Sequence, residues 1–241
     1  MELFAGTECI SNTFRKRGHE CFTVDWDEKF PSNLHIDIEF LTTDMILEQF
    51  GQPDVIFMGF DCTTFSLAAI SHHRRKNEET GNLDPVSDYA KKCDRTNLHC
   101  LDMVRELKPK IVIIENPRAG MRKMNYMKDF VCNTTTYCQY GFPYMKPTDF
   151  FSNIELPLKP SCKNGDPCHE RAPRGSRSGL QGIKGKDKRS MYPEQLCEHI
   201  VDICESKLGE SNLHNQCKSC SNKWSSQECE TCEDFDMYKQ Q

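Results

Sequence analysis

Apolar residues along the chain fall in short runs of strand length: Met1–Phe4, Cys21–Val24, Leu34–Ile36, Val55–Met58 and Ile111–Ile114. Stretches of helical periodicity separate them, the pattern of a mostly parallel sheet wrapped by helices in an α/β fold. Between the first two runs, Ile10–Gly18 reads as a helix closed by Gly18, a common residue just past a helix end. Pro85–Leu107 reads as a longer helix, with Pro85 suited to its first turn and Pro109 stopping it. In Pro193–Ser206, Leu196, Ile200, Val201 and Cys204 share one helical face. The polar stretch 67–84 has no such pattern and is expected to be a long loop. From Thr134 the pattern turns extended and aromatic, breaks at Gly141-Phe142-Pro143 and resumes over Thr148–Asn153, which predicts a hairpin added to the sheet. Residues 155–190 are rich in Gly, Pro, Lys and Arg and read as loop; the tail after Leu208 is polar and rich in cysteine.

With 241 residues, 37% of them hydrophobic, the chain can bury one full core and a small appendage. We place the boundary at a domain 1–206 and a tail 207–241. No run approaches the ~18 residues of a membrane span. Met1-Glu2-Leu3-Phe4 enters a strand at once, unlike a signal peptide, so a soluble, cytoplasmic protein without a membrane partner is expected. Fifteen cysteines fit a reducing compartment, where thiols serve catalysis, metal binding or packing. The net charge of −5 hides a basic segment: Arg171, Arg174, Arg177, Lys184, Lys186, Lys188 and Arg189 against the single acid Asp187. Such a segment is either a phosphate-facing surface or a solvated loop.

Two strand ends carry the chemistry. Val55–Met58 leads into Gly59-Phe60-Asp61-Cys62-Thr63-Thr64-Phe65-Ser66, and Ile111–Ile114 leads into Glu115-Asn116-Pro117. In open α/β sheets ligands bind outside the carboxyl ends of the strands, so a thiol and a carboxyl can reach one crevice. A thiol nucleophile beside a proton-donating carboxyl suits addition to an electron-poor ring such as a pyrimidine, attacked at C6.

Cys-Thr-Thr-Phe-Ser at 62–66, Glu-Asn-Pro-Arg at 115–118, Tyr-Cys-Gln-Tyr-Gly at 137–141, Lys-Pro-Thr at 146–148 and the stretch from Cys168-His169 to Gln181-Gly182 occur in that order. Together, over residues 1–206, they resemble the cytosine-C5 DNA methyltransferase family in its compact, bacteriophage-like form. The resemblance implies a Rossmann-like methyltransferase fold, a mostly parallel sheet with helices on both faces and a C-terminal β-hairpin. It implies S-adenosylmethionine (SAM) as cofactor, held by Phe4, Gly6 and Thr7 of the first strand-to-turn segment. Asp25 and Trp26 would meet the ribose and adenine, and Asp37, Ile38 and Ser190 would complete the cofactor set. The resemblance further makes Cys62 the nucleophile and Glu115 the acid at cytosine N3. Where the family usually supplies arginine near the cytosine O2, this chain offers Lys146 and Thr148. DNA is then the partner, as a duplex with a flipped cytosine or as a single strand. Ser66, Arg74, Arg75, Arg118, Arg122, Arg171, Arg174 and Arg177 are the candidate DNA contacts. RNA stays open as a substrate, because tRNA-modifying members share this core. The chain reads as a monomer, resident in a bacterial host cell if phage-encoded.

Two positions depart from the family pattern. Glu8 stands where a small residue is normal, and Asp61 stands where proline precedes the nucleophile. A carboxylate at either place bears on cofactor or thiol, which leaves three outcomes: methyl transfer, transfer of another group from a modified SAM, or a catalytically weak nucleic-acid-binding relative. The stretch between Asn153 and Arg189 is too short for a large recognition domain and predicts little sequence preference. Finally, Cys217-x2-Cys220-x8-Cys229-x2-Cys232 has zinc-ligand spacing, and Cys162-x5-Cys168-His169 is a weaker zinc candidate whose fourth ligand the spacing does not identify.

Overall fold

The computed structural model describes residues 1–170 and 190–219, with side chains to residue 209. It divides into two compact units, Met1–Val201 and Asp202–Gln241. The first holds a seven-stranded sheet built from β1 (Glu2–Leu3), β2 (Thr23–Asp25), β3 (Leu34–His35), β4 (Val55–Gly59), β7 (Ile111–Pro117), β8 (Val131–Thr136) and β9 (Pro147–Ser152). Its order is β3-β2-β1-β4-β7-β9-β8. The first five strands pair in parallel, and β9 is antiparallel to both neighbours. The predicted hairpin is therefore present, but its second arm inserts between β7 and the first arm. The chain order reverses between β1 and β4, so the loops leaving these two strands flank one crevice.

Helices cover both faces, and the two-residue side-chain period of the strands explains why. On one face Ile56 and Met58 of β4, with Val112 and Ile114 of β7, join one core. Ile46 of α2 (Thr43–Phe50) and Leu101, Met103 and Leu107 of α4 (Asp88–Leu107) complete it. The alternate residues Phe57, Ile113 and Glu115 point the other way, where Phe57 meets the Tyr192 ring edge-on at 5.6 Å. On that side, Ile10 and Phe14 of α1 (Cys9–Lys16) and Leu196, Ile200 and Val201 of α5 (Glu194–Ser219) are buried. Lys16–Glu194 and Arg17–Glu198 ion pairs join the two helices.

Three expectations change and one helix is additional. Pro85 does not open α4; it ends β6 (Leu83–Pro85), and the Ser87 side chain caps the helix by accepting from Ala90 N–H. That cap relieves a donor that proline could not have served. The 67–84 stretch is ordered: α3 (Ile70–His73) leads into β5 (Arg74–Lys76), antiparallel to β6, with Arg74 opposite Pro85. Helix α2 had no predicted counterpart; Thr42 caps it and Gly51, at φ 78°, closes it. The last helix extends past Ser206 to Ser219. No helix among the described residues is long and apolar enough to cross a membrane.

Candidate active site

The register of β4 and β7 builds the reactive centre. Gly59 lies opposite Glu115, so the loop that leaves β4 and carries Cys62 rises beside the Glu115 carboxyl. Gly59 has a steric reason: a Cβ there would stand 3.1 Å from the Tyr192 hydroxyl. Asn116 ties the two strand ends together, its Nδ2 donating to the Phe60 carbonyl at 2.9 Å.

Glu115 is buried at 6% exposure. The Tyr137 hydroxyl donates to Oε1 and the Tyr192 hydroxyl to Oε2, each at 3.3 Å. Burial holds both phenols well above their ordinary pKa, so they remain donors. Lys146 Nζ lies 3.8 Å from Oε1 and 4.6 Å from the centre of the Tyr137 ring. Burial outweighs these partners and raises the Glu115 pKa, which favours a held proton. Thr148 is buried beside Pro117 on the neighbouring strand, its hydroxyl donating to the Lys146 carbonyl at 3.2 Å.

Cys62 is exposed, as a nucleophile must be, yet its surroundings oppose ionisation. The crowding of protein around the sulfur is the largest cause; the Glu115 and Asp61 charges add to it, and Lys146 subtracts. The thiol is pushed up to about 11. Asp61 is fixed at the turn, Oδ1 accepting from Thr63 N–H at 2.6 Å and Oδ2 from the Tyr89 hydroxyl.

The cofactor candidates gather around the carboxyl ends of β1 and β2. The backbone takes positive φ at Phe4 (56°), Gly6 (49°) and Glu8 (54°), costly for Phe and Glu and natural for Gly. Asp25 holds this turn, with Oδ2 accepting from Gly6 N–H and Oδ1 from Asp27 N–H, both at 2.9 Å. The Phe4 ring meets Phe60 edge-on at 5.8 Å across the point where strand order reverses. The Thr7 hydroxyl lies 3.1 Å from Cys9 Sγ. Glu8 turns inward: its carboxylate pairs with Arg15 at 2.7 Å and accepts from the Thr23 hydroxyl at 2.5 Å.

These residues fit a SAM-sized group. Among the described residues nothing lies within 4 Å of the Cβ side of Gly6, Trp26 presents its ring at 65% exposure, and the one extra carboxylate of the turn is neutralised by Arg15. Two members of the expected set are otherwise engaged. Asp37 pairs with Lys92 at 2.6 Å, which holds its carboxyl below the usual range, and the Ile38 side chain is buried in the core. Ser190 is exposed.

The nucleic-acid set separates into groups. Arg74 is buried, contrary to expectation: it pairs bidentately with Asp94 at 2.8 and 3.0 Å, donates to Thr64 and stacks 3.8 Å over the Phe65 ring. It braces the loop behind Cys62 and has no face left for a phosphate. Arg122 is likewise committed, to buried Asp149 and to Thr134. Arg75 and Arg118 are exposed, although the Arg75 guanidinium folds back onto the Ser71 carbonyl. Ser66 donates to the Thr63 carbonyl at 3.3 Å. Arg171, Arg174 and Arg177 lie outside the described residues, as do Cys220, Cys229 and Cys232 and the side chain of Cys217. Tyr137, Tyr192 and Tyr89 were not expected at the site. A tyrosine far along the chain gives no spacing signal, and only the fold brings these hydroxyls to the acids.

Comparison with known proteins identifies the family. Residues 1–142 match the family model for C-5 cytosine-specific DNA methylase. A Frog virus 3 protein named "Probable DNA (cytosine-5)-methyltransferase" is 27% identical over 223 residues, 85% of this chain and 99% of the relative. Among solved structures, the S. pombe Dnmt2 methyltransferase matches with a TM-score of 0.44 and 14% identity over 64% of this chain. The Entamoeba histolytica methyltransferase EhMeth matches with a TM-score of 0.45 and 13% identity over 66% of this chain. The chain spans about half the length of these two structures, 50% and 53%.

Proposed function

This chain belongs to the C-5 cytosine-specific DNA methylase family, and on that premise we propose that it methylates carbon 5 of cytosine in DNA. The observation that carries the proposal is the pairing of exposed Cys62 with buried Glu115, whose pKa burial raises, at the ends of adjacent strands. The Cys62 sulfur bonds to C6 of the ring as Glu115 delivers a proton to N3. The thiol gives its proton to solvent before the S–C6 bond forms, and Glu115, having protonated N3, is left as a carboxylate whose charge Lys146, 3.8 Å away, offsets until the N3 proton returns. With Glu115 protonated, one of the two carboxylates opposing the thiolate also disappears. Addition makes C5 nucleophilic. Loss of the C5 proton and expulsion of Cys62 then restore the ring. Lys146, buried beside Glu115, offers its positive charge to the carbonyl oxygen of the base.

SAM, when bound, supplies the methyl group. Gly6 and Thr7 would line its turn, Asp25 would orient that turn, and Trp26 would stack on a flat ring. The inward rotation of Glu8 removes one of the two reasons for invoking a modified donor.

The target carbon is inaccessible inside a duplex, so the base is flipped or presented single-stranded. Arg118 and Arg75 are exposed cations of the described surface that suit phosphate, and phosphate contacts carry no sequence code. The stretch between Asn153 and Arg189 leaves little chain for base contacts, so we expect low sequence preference. The test incubates purified protein and SAM with unmethylated DNA, or with RNA of the same sequence, and digests the product to nucleosides for mass spectrometry. We expect one added methyl on deoxycytidine and none with Cys62→Ala. A different added mass, or product that survives the substitution, would overturn the proposal.

A further inference from the structure

The segment 155–170 has almost no regular structure, yet four metal-ligating side chains converge within and beneath it. Cys138, in the turn Tyr137–Tyr140 that follows β8, meets Cys162, Cys168 and His169, and all four ligand atoms lie within 4.8 Å of one another. We propose that these four residues bind a structural zinc ion in a Cys3His site that staples this segment to the turn beside Glu115.

The distances support one tetrahedral ion. Zn–S bonds of about 2.3 Å and Zn–N bonds of about 2.0–2.1 Å, at tetrahedral angles, put sulfurs about 3.8 Å apart and sulfur about 3.6 Å from nitrogen. Here Cys138 Sγ is 3.7 Å from Cys168 Sγ, while His169 Nδ1 is 3.6 Å from Cys162 Sγ and 3.5 Å from Cys168 Sγ. The Cys138–Cys162 separation is tighter, at 3.1 Å, but far beyond the ~2.05 Å of a disulfide. Four ligands this close leave no room for a multi-iron cluster. A site with all four positions taken by protein is closed, the mark of a structural ion rather than a catalytic one.

The histidine argues the same way. His169 is buried at 9% exposure, and its Nε2 has no hydrogen-bond partner among the described residues. Without a metal, Nδ1 would face only weak thiol donors, an expensive placement for a polar ring. Coordination through Nδ1 replaces those weak thiol contacts with a ligand bond. Around the site, Gln139 Nε2 donates toward Cys168 Sγ at 3.7 Å, as a thiolate ligand invites. Cys162 N–H donates to Thr136 Oγ1, and Glu170 N–H to the Pro143 carbonyl. Gly165, at φ 105°, turns the chain between Cys162 and Cys168. The fourth ligand escapes sequence inspection because Cys138 belongs to a different element from the other three.

The test uses the full chain with Cys217, Cys220, Cys229 and Cys232 all changed to serine, so that the tail cannot contribute metal. Purified under reducing conditions, it should carry about one zinc per chain, as a closed four-ligand site requires. Cobalt substitution should give the absorption of tetrahedral cobalt bound by thiolates. Adding Cys162→Ser or Cys168→Ser should lower zinc content at least tenfold. Adding His169→Cys should retain the zinc and shift the cobalt spectrum toward that of a four-thiolate site, which guards against reading simple misfolding as ligand loss. A tail-substituted chain without bound zinc that also fails to take up cobalt would overturn the site. So would a Cys138–Cys162 disulfide in the reduced, purified protein.

Discussion

Two loops leave adjacent parallel strands, and each carries an acid where the family pattern has none. After β1, Glu8 is buried and its charge is cancelled: Arg15 pairs with one oxygen and Thr23 donates to the other. After β4, Asp61 is held just as firmly, but by the Tyr89 hydroxyl and a backbone N–H, neither of which carries charge. Fixing a carboxylate and neutralising it are different things. The first loop is therefore left electrically quiet around a cofactor, while in the second the Asp61 field reaches Cys62 and adds to that of Glu115. The same substitution of an acid into a strand-end loop is silent in one place and felt in the other.

The largest expected effect comes from Glu115→Gln, which removes the proton donor. Methyl transfer should fall about 10²–10⁴-fold, the usual worth of a positioned acid. On the alkaline side, where Glu115 ionises, reactivity of Cys62 toward iodoacetamide should rise in the variant, because the thiol there loses a repelling carboxylate. The wild-type rate should also decline on the alkaline side, as pH rises through the raised Glu115 pKa and the acid gives up its proton. A parallel fall in turnover and alkylation would show that Glu115 supports the thiol instead of opposing it.

Next in size is Arg15→Leu, which would make Glu8 resemble Asp61: fixed but not neutralised. Breaking a fully buried pair by removing one partner costs about 3–5 kcal/mol. Arg15 keeps a third of its side chain exposed, so solvent screening reduces the expected loss to about 1–3 kcal/mol in denaturant unfolding. Glu8→Gln combined with Arg15→Leu should recover much of it. Full destabilisation in the double variant would mean that Arg15 acts by packing and not by charge.

Much of this was legible from the chain itself because the relevant signals are local. The five parallel strands announce themselves as apolar runs, and Cys62 and Glu115 are named by the motifs at their ends. What escaped depends on contacts distant in sequence. Pro85 looked like a helix start because proline suits a first turn, but the Arg74–Pro85 pairing claims it for a hairpin. Arg74 and Arg122 looked like surface cations; the partners that bury or bind them, Asp94 and Asp149, lie 20 and 27 residues further along the chain. The direction in which Glu8 points is a property of its positive φ and of Arg15 two turns along the helix, neither visible in a motif. Tyr137 and Tyr192 reach Glu115 from opposite ends of the second half of the chain.

The smallest effect is the most direct probe of the comparison. Asp61→Asn keeps an oxygen for the Thr63 N–H, removes the charge, and reverses the second contact, its Nδ2 donating to the Tyr89 hydroxyl oxygen. Cys62, raised to about 11, is almost wholly protonated at pH 8, and its alkylation rate should climb tenfold per pH unit until the pKa is reached. Losing one nearby carboxylate should move that profile down by about one pH unit, giving about tenfold faster alkylation at pH 8. The readout is the modified Cys62 peptide in a digest, which separates it from the other fourteen cysteines. Methyl transfer should improve by no more than the same factor, since Asp61 does not touch the base. An unshifted profile would mean that a phenol neutralises Asp61 as completely as a guanidinium neutralises Glu8, and the contrast between the two loops would collapse.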